Sequence, residues 1–160
     1  MLTITRILAP TDFSELSKDG VRVGLDLARS HGARITIYNV LELEAVPRYG
    51  CAPHPDQSLL VQLMDERKKL LAHFVHENFA DMITGLTILE DVGAGVPYRK
   101  ILDRAADENS DMIVMSTHGR SGPLDALIGS VAELVIRLAS CPVLSVHPSM
   151  RQQKIETKAA

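Results

Sequence analysis

The hydrophobic residues of this chain cluster into five short runs that are separated by longer stretches of mixed polarity. Each run has the length of a strand and is mainly aliphatic; the runs are Ile4 to Ala9, Arg34 to Val40, Leu86 to Glu90, Met112 to Met115, and Val143 to Val146. Aliphatic runs of this kind are typical of strands that are buried on both faces of a parallel sheet. The pattern therefore predicts five parallel strands.

The stretches between the runs carry apolar residues at the spacing of amphipathic helices. The clearest stripe precedes the last run and consists of Leu127, Val131, Leu134, Val135 and Leu138. Two further stripes lie between earlier runs: Leu60, Leu63, Met64, Leu71, Phe74 and Val75, and then Ile101, Leu102, Ala105 and Ala106. Strands that alternate with helices predict an α/β fold, in which helices cover both faces of a five-stranded parallel sheet.

Signals at the helix boundaries agree with this pattern. Ser14 and Asp56 are the predicted N-cap residues of the first and second helices, and Pro97 suits the first turn of the third. The segment Ser130 to Glu133 predicts a capping box at the start of the fourth helix. The segment Leu41 to Pro55 has three prolines and no periodicity, so it predicts a long loop.

Length and charge restrict the architecture and the partners. A chain of 160 residues suits one domain, and we expect residues 1–148 to form it and residues 149–160 to be a polar tail. A net charge of −3 argues against a nucleic-acid partner, because such domains carry a basic face. The sequence has neither a signal-peptide pattern nor an apolar stretch of about 18 residues, so we expect a cytoplasmic protein with no membrane partner.

Two loops carry the candidate chemistry. In an open parallel sheet the ligand crevice lies beyond the carboxyl ends of the strands, where the strand order reverses. The loop after the first strand is Pro10-Thr-Asp-Phe-Ser14, and the loop after the fourth is Ser116 to Gly122, followed by Gly129 and Ser130. Glycines allow backbone amides to approach a phosphate, and a helix N-terminus binds anions. The alternative is that the glycines only turn the chain and Ser130 only caps a helix.

The same segments resemble those of the universal stress protein family. The resemblance rests on Pro10-Thr-Asp-Phe-Ser14, on Ser116-Thr-His-Gly119 followed nine residues later by Gly129-Ser130, and on Ser140-Cys-Pro-Val-Leu-Ser-Val146. It implies a Rossmann-like parallel sheet of the adenine nucleotide alpha hydrolase type, with strand order 3-2-1-4-5. One branch of this family binds ATP or AMP through a Gly-x-x-Gly, nine residues, Gly-Ser/Thr motif. Ser116 replaces the first glycine here, and its hydroxyl could bond a ribose or phosphate oxygen.

The resemblance also implies roles for individual residues. Pro10, Thr11 and Asp12 would line the adenine and ribose end, and the Val40 backbone would read the base edge. The whole candidate set is Pro10, Thr11, Asp12, Val40, Ser116, Thr117, His118, Gly119, Arg120, Gly122, Gly129, Ser130 and Val131. Mg²⁺ or Mn²⁺ would be carried by the phosphates, since no carboxylate cluster marks a protein-built metal site. A simpler interpretation of Asp12 is an Asx-type loop residue before the helix cap.

Catalysis is not indicated by the motifs. The sequence has no nucleophile elbow and no Gly-x-x-x-x-Gly-Lys-Ser/Thr loop, so we expect little or no ATP hydrolysis, although His118 could assist proton transfer. The fragment Asp91 to Gly95 lacks the third glycine of a dinucleotide fingerprint and predicts a turn from the third strand into a helix. A receiver domain is disfavoured because Asp12 stands without a second acidic residue beside it after the first strand.

Metal and redox chemistry have weak candidates. Cys51 and His54, together with His73 and His76, could supply four zinc ligands, but their spacing matches no complete zinc motif, so an unpaired thiol and solvent-facing histidines are favoured. Cys141 precedes the last strand, and we expect it to pack as a small apolar residue.

The last strand predicts how two copies of the chain would associate. Residues Pro142 to His147 would form an exposed sheet edge, and pairing with the same strand of a second copy would produce a homodimer. The sequence thus predicts a regulatory module that binds ATP or AMP and signals to a protein partner. The alternatives are a stress protein that acts through protein contacts without a nucleotide, and a slow ATPase.

Overall fold

The computed structural model describes residues 3–43, 57–118 and 128–147, and in this part of the chain strands and helices alternate as predicted. The order is β1 (Arg6–Pro10), α1 (Glu15–His31), β2 (Arg34–Glu42), α2 (Gln57–Ile83), β3 (Ile88–Gly95), α3 (Pro97–Asp107), β4 (Met112–Ser116), α4 (Ser130–Leu138) and β5 (Val143–Val146). All neighbouring strands are parallel, in the order β3-β2-β1-β4-β5. The predicted fold class and strand order are therefore confirmed.

The sheet is buried on both faces by two apolar clusters. On one face, residues of β1, β2 and β4 such as Ile7 pack against α1 and α2 through Leu25 and Phe79. On the other face, neighbouring strand residues such as Leu8 pack against α3 and α4. Ile7 and Leu8 are both fully buried although they point to opposite faces, which explains why the strand sequence is aliphatic without polar alternation.

The first and third helices begin where the sequence predicts. Ser14 is the N-cap of α1, and its hydroxyl accepts the Ser17 amide hydrogen bond at 3.1 Å. Pro97 occupies the first turn of α3, where its missing N–H costs nothing. Asp56 lies outside the described residues.

The predicted capping box of α4 is wrong. Gly129 is the N-cap residue, Ser130 already lies inside the helix, and no side chain caps the helix start. A capping box needs the serine at the N-cap, because only there can its hydroxyl meet the amide three residues later. Within the described ranges, the first-turn amides of α4 therefore have no side-chain acceptor.

The third strand is longer than predicted and shifted along the chain. It runs to Gly95, so Asp91 to Gly95 form strand rather than a turn, paired with Tyr38 to Glu42 of β2. The small residues permit close approach: a Cβ built on Gly93 would lie 2.0 Å from the Tyr38 hydroxyl. Leu41 and Glu42 belong to β2, and residues 44–55 of the predicted loop lie outside the described part of the chain.

The fourth helix buries a narrower face than its apolar stripe predicts. Val135 is fully buried and Ala132 nearly so, but Leu138 is 56% exposed at the end of the helix. Leu127 lies outside the described residues. Within the described ranges, no helix is both long and apolar enough to cross a membrane.

Candidate functional site

A cavity of about 520 Å³ lies at the carboxyl ends of β1, β2 and β4. This is the point where the strand order reverses, since β1 is paired on one side with β2 and on the other with β4. Ligand crevices of doubly wound sheets are found at this position, and the volume is that of a small-molecule site. The first turn of α4 also lines this cavity.

The structure brings most of the predicted site residues to this one cavity. Its lining includes Pro10, Thr11, Asp12, Val40, Ser116, Thr117, His118, Gly129, Ser130 and Val131. These residues are far apart in the sequence and meet because parallel strands present their carboxyl ends at one edge. Gly119, Arg120 and Gly122 lie outside the described residues.

The loop after β1 is held by hydrogen bonds within itself. Asp12 Oδ1 accepts from the Ser14 amide at 3.0 Å and from the Ser14 hydroxyl at 2.6 Å. Thr11 Oγ1 accepts from the Phe13 amide at 3.1 Å and lies 2.8 Å from the Ser17 hydroxyl oxygen. These contacts agree with the interpretation of Asp12 as an Asx-type loop residue, and they hold the floor of the cavity in one conformation.

The hydroxyl of Ser116 forms its hydrogen bonds with backbone groups of α1. It donates to the Leu16 carbonyl at 2.5 Å and accepts from the Gly20 amide at 3.0 Å. Because a hydroxyl has only one proton, donation to a ribose or phosphate oxygen would require this bond to break. In this structure the hydroxyl ties the end of β4 to α1.

The connection between β4 and α4 is closed by backbone pairing. The Gly129 amide donates to the Thr117 carbonyl at 2.7 Å, which places the start of α4 beside the end of β4. A Cβ built on Gly129 would lie 3.1 Å from that carbonyl oxygen, so glycine permits the close approach. The first hydrogen bond of α4 runs from the Glu133 amide to the Gly129 carbonyl at 2.9 Å. The amides of residues 130–132 therefore precede the helical ladder, at the positive end of the helix dipole.

His118 is buried at the cavity wall. Its Nδ1 lies 2.9 Å from Thr117 Oγ1, and its ring meets that of His147 edge-on with centroids 5.7 Å apart. The His118 ring is thus held by contacts with neighbouring side chains.

Several lining residues were not anticipated from the sequence. Tyr38 and Asn39 come from the middle of β2, Ser17 from α1, and Arg67 from α2. The Asn39 side-chain amide donates to the Thr11 carbonyl at 2.8 Å. A polar Asn inside an aliphatic strand was a usable signal, whereas Arg67 lies on an ordinary amphipathic helix and offers none.

Tyr38 contributes a neutral hydroxyl. Burial, reinforced by the Asp91 carboxylate, raises the pKa of Tyr38 to about 12. The phenol therefore stays protonated across the physiological range and cannot act as a base there.

The candidate metal and thiol residues lie only partly within the described ranges. His73 and His76 are exposed on α2, and Cys51 and His54 lie outside the described residues. In the ranges that the structure describes, no three His, Cys, Asp or Glu residues come together as metal ligands. Cys141 packs against the apolar cluster between the sheet and helices α3 and α4, here called the α3–α4 cluster. Burial raises the pKa of the Cys141 thiol.

A doubly wound parallel sheet with a ligand-sized cavity at its switch point defines an α/β protein of the Rossmann-like class. Residues 3–147 match the sequence model of the Universal stress protein family, and the chain belongs to this family.

Individual relatives agree with this assignment. Universal stress protein MJ0531 of Methanocaldococcus jannaschii is 30% identical over 147 residues, which cover 92% of this chain and 84% of that protein. The solved structure of hypothetical protein MJ0577 from the same archaeon is 26% identical, has a TM-score of 0.73, and matches over 91% of this chain and 96% of its own. A universal stress protein solved in complex with cAMP is 22% identical and has a TM-score of 0.66, over 92% and 99% of the two chains.

Proposed function

We propose that the cavity binds an adenine nucleotide, ATP or AMP, and that the chain is a regulatory binding module of the stress response. The observation that carries this proposal is the cavity at the switch point, with the uncapped start of α4 in its wall. The complex of a related protein with cAMP supports the same class of ligand.

The phosphates are assigned to the start of α4. The amides of Ser130 and Val131 precede the helical ladder and lie at the positive end of the helix, which favours an anion. Gly119, Arg120 and Gly122 would complete this end from the loop that precedes it. Mg²⁺ or Mn²⁺ would enter with the phosphates.

The base and ribose are assigned to the opposite end of the cavity. Pro10, Val40 and Met115 supply apolar walls, and Thr11 and Asp12 supply polar groups near them. Tyr38 is the one Phe, Tyr or Trp among the described residues that line the cavity, so aliphatic walls and backbone groups must supply most of the contacts to the base. We expect modest affinity for this reason.

Binding without efficient hydrolysis is the activity that we propose. His118 is the candidate for proton transfer, and its Nδ1 is engaged by Thr117 Oγ1. Signalling then requires that the nucleotide bind two states of the protein with different affinity, so that a protein partner can sense the bound form. We place this binding cycle in the cytoplasm.

The change Gly129→Asp tests the phosphate assignment. Asp is favoured at an N-cap, and Gly129 has an ordinary φ of −72°, so the variant should fold with a small adjustment near Thr117. Its carboxylate would occupy the phosphate position and repel the ligand. We expect affinity for ATP and AMP, measured by isothermal titration calorimetry, to fall by roughly ten- to a hundredfold.

A matched control separates this effect from net charge. Asn109→Asp adds the same charge at an exposed turn between α3 and β4. Asn109→Asp should bind like the wild type. Equal affinity of Gly129→Asp and the wild type would contradict the phosphate assignment.

The rival functions give different results. A stress protein that acts only through protein contacts would release no adenine nucleotide on denaturation and show no rise in melting temperature with ATP. A slow ATPase would release phosphate above background, and this turnover would disappear in His118→Ala.

A further inference from the structure

Arg67 is the one Lys or Arg among the described residues that line the cavity. It lies on α2, outside the glycine motif and outside the loops after β1 and β4. Its guanidinium carbon lies 5.6 Å from the centre of the Phe13 ring. The side chain therefore reaches from the helical layer over the loop that follows β1.

Among the described residues, no ion pair balances the charge of Arg67. No carboxylate of the described residues lies within ion-pair distance of its guanidinium. The carboxylates that line the same cavity are Asp12, Glu42 and Glu133. Asp12 accepts two hydrogen bonds from Ser14, and Glu133 faces Arg137 at 3.8 Å.

Phe13 holds Arg67 in place. Phe13 adopts a φ of +66°, an uncommon conformation for a bulky residue, and its amide is fixed on Thr11 Oγ1. Its ring also meets Phe74, seven residues beyond Arg67 on α2, edge-on with centroids 5.3 Å apart. The ring thus contacts two positions about two helical turns apart on one face of α2, and the guanidinium is positioned before any ligand arrives.

A guanidinium that stacks on an aromatic ring keeps its N–H groups for an anion. Five donors in a rigid plane suit the oxygens of a phosphate, and pre-organisation lowers the entropy lost on binding. The start of α4 supplies a second positive potential in the same cavity.

We propose that Arg67 is an anion-recognising residue of this cavity, which selects phosphorylated ligands over the uncharged nucleoside. This inference rests on the proposed function, because it assigns the charge preference of the same site. It assigns that preference to α2, an element that the glycine motif does not include.

The test compares AMP with adenosine on three proteins by isothermal titration calorimetry. Arg67→Gln should weaken binding of AMP by roughly ten- to a hundredfold and change binding of adenosine by less than about twofold. Arg67→Lys should bind AMP with intermediate affinity, because it keeps the charge and loses the planar fork. The loss in Arg67→Gln should shrink at high salt, since salt screens the attraction.

Lys68→Gln is the matched control. It removes one positive charge from the adjacent, exposed position of α2, outside the cavity lining, and should bind AMP like the wild type. Circular dichroism and melting temperature check that each variant folds. If Arg67→Gln were unfolded, the Arg67→Lys protein and the salt dependence of the wild type would still decide the question.

The outcomes separate the two proposals. If the wild type binds AMP and Arg67→Gln binds it equally well, Arg67 does not recognise the anion. Equal losses for AMP and adenosine would overturn the inference too, because Arg67 would then contact the base or support the loop. If the wild type binds no adenine nucleotide at all, the proposed function itself fails.

Discussion

Gly93 is the residue at which β3 accepts no side chain. A Cβ there would meet the Tyr38 hydroxyl at 2.0 Å and the ring carbon that bears it at 2.9 Å. Tyr38 lines the cavity and also belongs to the α3–α4 cluster, so its ring cannot move without disturbing both. One glycine on an edge strand thereby fixes an aromatic wall of the site.

We predict that Gly93→Ala destabilises the protein by roughly 1–3 kcal/mol, because the methyl group forces Tyr38 out of its rotamer. Urea denaturation measures the loss. The double variant Tyr38→Phe/Gly93→Ala removes the closest atom and should recover part of it. If the two changes were simply additive, the clash with the hydroxyl would not be the cause.

At the scale of elements, the two ends of β1 are held by two different sets of hydrogen bonds. At the amino end, Asp111 Oδ2 accepts from the Thr5 amide at 2.8 Å, the Thr5 hydroxyl at 2.7 Å and the Arg6 amide at 2.9 Å. At the carboxyl end, Thr11 and Asp12 form the hydrogen-bonded loop beneath the cavity. The hydrogen bonds of Asp111 fix how β1 lies beside β4, and the hydrogen-bonded loop forms part of the cavity lining.

Asp111 makes stability depend on pH in a predictable direction. The hydrogen bond from the Thr5 hydroxyl has the largest effect and lowers the pKa of Asp111 below its ordinary value. The hydrogen bond from the Thr5 amide acts in the same direction. The stability that Asp111 contributes is therefore present above the ordinary carboxyl pKa of about 4 and is lost as the pH falls through its lowered folded value. We predict that Asp111→Asn is less stable than the wild type at pH 7 and that the difference shrinks towards pH 2.

Urea midpoints at the two pH values measure this effect. Asp65→Asn, at an exposed position of α2, serves as the control and should match the wild type at both. A difference as large at pH 2 as at pH 7 would show that the charge of Asp111 has no part in it.

At the scale of the whole molecule, β5 is the short edge of the sheet and pairs with β4. Leu144 is 38% exposed on this strand. An edge strand with an exposed apolar side chain favours pairing with another chain. We propose that two copies associate through residues 142–147.

Leu144→Glu should convert this proposed dimer to a monomer, because it places two negative charges close to the two-fold axis of one interface. Light scattering after size-exclusion chromatography measures the mass. Leu89→Glu is the matched control, since Leu89 is 40% exposed on β3 at the opposite edge. A wild type that is monomeric at micromolar concentration, or a Leu89→Glu variant that dissociates equally, would contradict this dimer.

The sequence by itself determined the class of fold, because aliphatic runs of strand length that alternate with helical stripes can bury their apolar surface in few other ways. It also located the two loops of the site, since glycines and caps act over a few neighbouring residues. Tertiary structure decided what depends on contacts between distant segments. The sequence at Gly93 predicts a turn, but in the fold this residue lies in β3 beneath the Tyr38 hydroxyl. The Ser116 hydroxyl donates to the Leu16 carbonyl of α1. Arg67 reaches the cavity because α2 packs against Phe13. Local chemistry predicts elements and caps, whereas only packing shows which side chains share a cavity.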